Sequence, residues 1–443
     1  MLPRPTMLKI LANRTYRHLF LAQVIALIGT GLATVALGLL AYDLAGAEAG
    51  AVLGTALAIK MTAYIGVAPI AAAFAERLPR RTMLVSVDLI RAFVALALPF
   101  VTEVWEVYVL IFVLQSASAA FTPTFQATIP DILPNEDDYT KALSLSRLAY
   151  DLESVASPMV TAALLTVVSF HSLFAGTVVG FLASAALVCT VLLPKAKPVK
   201  RRSIYERTTR GMRIFLATPR LRGLLALNLT VAAASAMVIV NTVVLVQSRF
   251  GLPQSSTALA LAAFGAGSML SALVLPRLLK DINDRTAMLA GGGILVAGLA
   301  IGISLTSYFF LLPLWFFLGI GYSLAQTPGG RLLRRSAHAQ DRPALFAAQF
   351  ALSHACWLIT YPLAGWVGAK AGLTTSFIAL AVVGGVALLT SIAIWRPAHD
   401  QEFVEHTHDD PEHSGHVGDV TAAHQHPYVI DDQHPRWPRN QGR

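Results

Sequence analysis

Apolar runs long enough to cross a bilayer recur twelve times in this chain, near 18–42, 52–75, 83–101, 105–130, 141–168, 173–193, 222–247, 256–276, 286–306, 308–328, 344–369 and 373–395. Each crossing helix needs roughly 20 mostly apolar residues, because backbone polar groups in hydrocarbon must be satisfied within the segment. The fold class this predicts is an all-α membrane protein of twelve transmembrane helices. Hydrophobic residues make up 55% of the sequence and charged residues 13%. A soluble domain carries about 25% charged residues, so a water-soluble enzyme and a disordered scaffold are both excluded. The first run, Leu19 to Leu44, is too long for a signal peptide and has no cleavage site after it. Two cysteines and no CxxC exclude a disulfide framework and a zinc knuckle. No nucleophile–base constellation or cofactor loop occurs, so no enzyme is expected.

The one long gap, 194–221, separates a six-helix half at 1–193 from a second at 222–396, with a tail at 397–443. The net charge of +9 is distributed by side. One set of loops carries Lys9, Arg14, Arg17, Arg77, Arg80, Arg81 and Lys141, ten residues from Lys195 to Arg222, then Arg277, Lys280, Arg285, Arg331, Arg334, Arg335 and Arg342. The opposite loops hold Arg249, Lys370 and little else. By the positive-inside rule both termini and the linker are expected in the cytoplasm of a bacterial inner membrane. The charge therefore speaks for orientation in lipid, not for nucleic acid.

The halves read as a repeat. Arg81-Thr82 opens span three and Arg285-Thr286 opens span nine, 204 residues later. Thr122-Pro123 returns as Thr327-Pro328 at an offset of 205, and Ser157-Pro158 as Tyr361-Pro362 at 204. Parallel six-helix repeats with the substrate site at their interface are a transporter architecture.

The loop after span two reads Ala72-Ala73-Phe74-Ala75-Glu76-Arg77-Leu78-Pro79-Arg80-Arg81. It resembles the Gly-x-x-x-Asp-Arg-x-Gly-Arg-Arg loop of the major facilitator superfamily, with Glu76, Arg77, Arg80 and Arg81 kept and both glycines replaced. That resemblance implies a charge-stabilised turn that holds one gating state. Asp88 with Arg91, Phe121-x-Pro123 and Thr218-Pro219-Arg220-Leu221-Arg222 resemble the branch of siderophore and macrolide exporters. Two departures matter: Gly29-Thr30 lacks the acid of that branch, and Gln115 stands where proton-antiport members carry arginine.

Ionisable residues inside spans are functional candidates. In span five, at about 100° per residue, Ser144, Arg147, Asp151, Ser154 and Pro158 share a face. Arg147 and Asp151 can pair at i,i+4. Glu153 lies off that face with no evident partner. Carboxylates there suit a divalent cation, whose dehydration they offset, or a proton carrier. His354 in span eleven faces the same interface by the repeat, and imidazole suits nickel, cobalt, zinc or ferrous iron. Lys60 in span two is read as neutralising an acid, filling the empty site, or snorkelling; the sequence leaves the three open.

The tail holds eight of the twelve histidines: His399, His406, His408, His413, His416, His424, His426 and His434. Nine acids accompany them, and the apolar content is too low for a core, so disorder is expected. The spacings let neighbouring imidazoles share one labile ion and favour transition metals over calcium or magnesium. Tyr428 to Asp432, with Trp437, is a segment expected to dock on the cytoplasmic face.

With that tail and Arg147-Leu-Ala-Tyr-Asp-Leu-Glu153, the chain resembles the bacterial nickel-resistance permeases. The resemblance implies export of nickel, or of cobalt or iron, by proton antiport, with the tail collecting metal and the span-five acids and His354 passing it through. Expected partners are lipid, the divalent ion and protons, in a monomer with no permanently bound cofactor. A drug or siderophore exporter is the alternative, and a membrane metal sensor a further one.

Overall fold

The computed structural model describes residues 7–75, 79–135, nine positions between 138 and 161 (138, 139, 142, 145, 146, 149, 153, 160 and 161), 163–193, 204–279, 281–338, 341–400, 403–406, 424–431, 434, 436 and 437. Its long helices are α1 (Arg14–Ala45), α2 (Ala49–Ala75), α3 (Arg80–Ala97), α4 (Val104–Ile132), α5 (Phe170–Cys189), α6 (Ile204–Ala217), α7 (Pro219–Val243), α8 (Gln254–Leu278), α9 (Asp284–Gly302), α10 (Tyr308–Gln326), α11 (Arg342–Ala371) and α12 (Leu373–Ile394). Ten stretches among the described residues are long and apolar enough to cross a membrane. The first, Arg14–Val67, contains α1 and most of α2, and the expected fifth span falls mostly outside the described residues. The helix α6 is the exception in kind: it lies inside the segment read as a basic linker.

Local chemistry sets the helix ends. Asn13 caps α1 by accepting from the Tyr16 backbone N–H at 3.0 Å, and Asn283 caps α9 from Thr286 at 2.8 Å. Glu103 and Glu106 form a capping box on α4. Gly46, at φ 54°, stops α1 in a conformation that a side chain would resist.

Helices α1 and α5 pack together, as do α2 and α4, and α3 packs on both α4 and α5. Inside that group Asp88 and Arg91 form a buried ion pair on α3. Ser184 donates to the Asp88 carboxylate at 2.7 Å, and the Arg91 guanidinium lies 4.5 Å from the ring centres of both Phe121 and Phe181. The pair thus has partners on three helices, which offset the cost of charge in such a place, although Arg91 Nε is left without a hydrogen bond among the described residues. In the second half α8 packs on α10, α10 on α9, and α7 on α11 and α12.

The halves meet chiefly through α2 and α11. A Cβ on Gly50 would come 2.7 Å from Asn241 Oδ1. Trp366 donates its indole N–H to Thr55 Oγ1 at 2.9 Å, and Ser248 to Tyr42 Oη at 3.2 Å. These contacts all lie toward the bundle end away from α6, here called the far face.

Parts of the tail take up structure where it is described. Phe403–His406 and His424–Pro427 pair as antiparallel strands β1 and β2, with His406 opposite His424 and Val404 opposite His426. Beyond β2, Tyr428 and Ile430 are buried, Trp437 stacks edge-on to Tyr428, and Arg220 lies 5.4 Å from the Trp437 ring. A few large apolar side chains finding partners on the folded body outweigh the polar average of the segment.

Candidate central site

The helices α2 and α11 bring together residues that lie far apart in sequence. Lys60 Nζ is 5.9 Å from the Tyr64 ring centre, one turn along α2. Across the seam the Tyr64 ring is 5.4 Å from His354 and 5.8 Å from Phe350. His354 is 3.9 Å from Phe350 and 6.2 Å from Trp357, centre to centre. Phe350, His354 and Trp357 share one face of α11 because they are four and three residues apart.

Lys60 lies within electrostatic reach of both Glu153 and His354. Glu153, read as having no evident partner within span five, thus feels a positive charge on another helix, invisible to periodicity within its own span. Arg147 and Asp151 lie outside the described residues.

His354 Nδ1 is 2.7 Å from the Phe350 carbonyl oxygen. A carbonyl only accepts, so Nδ1 carries the proton and donates. In the neutral ring Nε2 then holds the lone pair. This is the arrangement by which a ligating histidine is oriented, its other nitrogen tied to a carbonyl.

Lys60 also lines a small cavity with Thr30, Thr34, Leu57 and Gln115. Gln115 is 6% exposed and its Oε1 has no hydrogen-bond partner. The sequence reading noticed Gln115 only as a missing arginine; nothing in the sequence placed it beside Lys60.

The loop residues Glu76 and Arg77 lie outside the described residues. Arg80 forms an ion pair with Asp131 at the end of α4, and Arg81 donates to the Cys189 carbonyl at 2.6 Å. The anion that anchors Arg80 therefore comes from α4, which the sequence reading did not anticipate.

Among the tail histidines, His399 Nδ1 donates to the Ile394 carbonyl at 2.9 Å. His434 is buried and its Nδ1 is 3.1 Å from Asp431 Oδ1, while His338 Nε2 is 3.1 Å from Asp431 Oδ2. Nδ1 of His399 and of His434 is thus engaged in holding the tail, and His338 joins them from the loop before α11. His406, His424 and His426 are on the strands, and His408, His413 and His416 lie outside the described residues. No three His, Cys, Asp or Glu side chains gather around one point among the described residues.

The sequence profile of the Major Facilitator Superfamily matches residues 19–300 and again 224–423. The chain belongs to that superfamily. The MFS-type transporter YfiS of Bacillus subtilis is 23% identical over 343 residues, covering 72% of this chain and 80% of that protein. Macrolide efflux protein A of Streptococcus pyogenes is 27% identical over 153 residues, which is 32% of this chain and 38% of that protein. The crystal structure of the nucleoside transporter NupG superimposes with a TM-score of 0.68 at 14% identity, covering 86% of this chain and all of that one. Such a likeness establishes the fold. This major facilitator protein is a membrane transporter and not an enzyme.

Proposed function

We propose that this transporter exports a divalent transition-metal cation, nickel first and cobalt, iron or zinc as related cargo, in exchange for protons across the bacterial inner membrane. The observation that carries the reading is that the Lys60 ammonium interacts electrostatically with both a carboxylate, Glu153, and an imidazole, His354. The bond from His354 Nδ1 to Phe350 leaves Nε2 for a borderline metal. Cargo would take Glu153 Oε and His354 Nε2, and a proton arriving at Glu153 would release it. Rocking of the halves about this site supplies alternating access.

The β1–β2 ribbon adds support. Its register sets His406 opposite His424 and Val404 opposite His426. Imidazoles at those positions suit labile capture of the same ions.

The test is radiolabelled nickel uptake into inverted vesicles under an imposed pH gradient, beside cobalt, zinc and ferrous iron. Uptake should follow the gradient and vanish in Glu153→Gln and in His354→Ala. Uptake that persists in both variants would sink the site assignment.

A second reading, an exporter of amphiphilic organic molecules, is favoured by the rings of Tyr64, Phe350 and Trp357, which a bare ion does not need. The relative named for macrolide efflux points the same way. Labelled erythromycin in the same vesicles decides between them: gradient-driven macrolide uptake without metal uptake transfers the assignment.

A further inference from the structure

Asn241 stands in the last turn of α7, fully buried at the seam between the halves. Its Nδ2 donates to the Ala364 carbonyl of α11 at 3.0 Å. That bond fixes which end of the amide is nitrogen and turns Oδ1 the other way. Oδ1 is covered and has no hydrogen-bond partner among the described residues. It lies against two glycines instead. A Cβ on Gly50 of α2 would come 2.7 Å from it, and one on Gly368 of α11 3.0 Å. Gly50 belongs to the first half, while Asn241 and Gly368 belong to the second. A Cβ on Gly365 would in turn stand 2.1 Å from the Gly50 carbonyl oxygen, so backbone meets backbone beside the amide.

An amide is a poor side chain for holding such a seam shut. Its donor is redundant, because Ser376 Oγ also donates to the Ala364 carbonyl at 3.0 Å. Its acceptor receives only the Gly50 Cα–H that points at it, a weaker contact than the water hydrogen bond that closure strips away. The other neighbours of the amide, Met237, Ala364, Gly368 and Ser376, all belong to the second half. Separation of the halves therefore withdraws Gly50 and admits water to Oδ1, while the bond from Nδ2 stays in place. The helix widens just beyond Asn241 into a π turn, Val244–Arg249, a form found often at functional positions. Ser248 in that turn makes the next polar contact across the seam, to Tyr42.

We propose that Asn241 is the release device of the far face: closure leaves its amide oxygen without a donor, opening hydrates it, and the difference keeps the closed state shallow enough to leave. A stranded acceptor destabilises only the state that strands it. The glycines at 50, 54 and 365 let α2 and α11 come into backbone contact, and an all-apolar seam of that kind has nothing to oppose it. Asn241 supplies the opposition at a single atom. It touches no cargo and acts on the balance between two states, both of which a carrier by alternating access must visit. This role holds whichever cargo the transporter carries.

The test is the distance between spin labels at the far ends of α1 and α8, measured on the full chain in detergent. Asn241→Val removes the amide with a side chain too short to press on Gly50. The ratio of closed to open molecules should then rise about fivefold to tenfold, the worth of one stranded acceptor. Asn241→Ala should move the ratio the same way, so the direction is read even if the branched side chain is not tolerated. Asn241→Asp at about pH 8 should lower the ratio by at least as much, because a carboxylate wetted only in the open state favours that state. A packing role predicts a different pattern, in which every one of these substitutions loosens the seam. A ratio that does not rise in the apolar variants, or does not fall in Asn241→Asp, overturns the assignment.

Discussion

A Cβ built on Gly54 would stand 2.6 Å from the carbonyl oxygen of Tyr361, so α2 and α11 touch backbone to backbone across the seam between the halves. Helices in lipid gain their contact from such small residues, because no hydrophobic force drives them together there. Gly54→Val is expected to weaken the far-face closure by about 1–3 kcal/mol through overpacking. Distances between spin labels at the far ends of α1 and α7 should lengthen in a larger share of molecules, and transport should fall.

The Asp88–Arg91 pair makes a different demand. Asp88 is fully buried and Arg91 is 4% exposed. Removing one partner strands the other charge, at a cost of about 3–5 kcal/mol, whereas replacing both with apolar residues is far milder. Melting of Arg91→Leu should therefore be lower than that of Asp88→Leu/Arg91→Leu. The reverse order would show that the pair is not balanced within itself.

The docked tail responds to pH through Asp431. Burial works against its charge, but the His434 backbone N–H and the imidazoles of His338 and His434 more than offset this and hold the carboxyl below its usual value. Because the folded value is depressed, the contribution to docking is present above the free carboxyl's pKa of about 3.9 and is lost as pH falls through the lower, folded value. Hydrogen exchange at 428–431 should thus stay slow at neutral and mildly acid pH and become fast only below that range. Asp431→Asn should produce the fast state at neutral pH.

Excision of 401–427 removes the ribbon but leaves the central site intact. Nickel tolerance of a sensitive host should weaken without disappearing. Complete loss would mean that the ribbon belongs to the transport path.

Much of the fold was legible because lipid imposes a plain code: long apolar runs, with Arg and Lys in alternate loops. The site was legible only in its ingredients. Glu153, His354 and Lys60 were each singled out by the cost of charge in hydrocarbon. Their convergence was not, since it depends on how α2, α11 and the fifth span are rotated about their own axes, and apolar spans that are buried on several sides carry little periodicity to fix that. Gln115 is legible only as a missing arginine, because an uncharged amide in a span signals nothing more until its neighbours are known. Four large residues (Tyr428, Ile430, Trp437 and the ring of His434) suffice to anchor a segment whose average is polar.

The tail is fastened at two places. His399 and Asp400 hold its beginning to Ile394 and Arg335, and Asp431 and Trp437 hold its end to His338 and Arg220. The histidine-bearing stretch between them is thus tethered at both ends. On the proposed reading, an ion taken up there would stay within a short tether of the bundle, at an effective concentration that free solution would reach only at about millimolar levels. Scavenging and loading would then be consecutive acts of a single molecule.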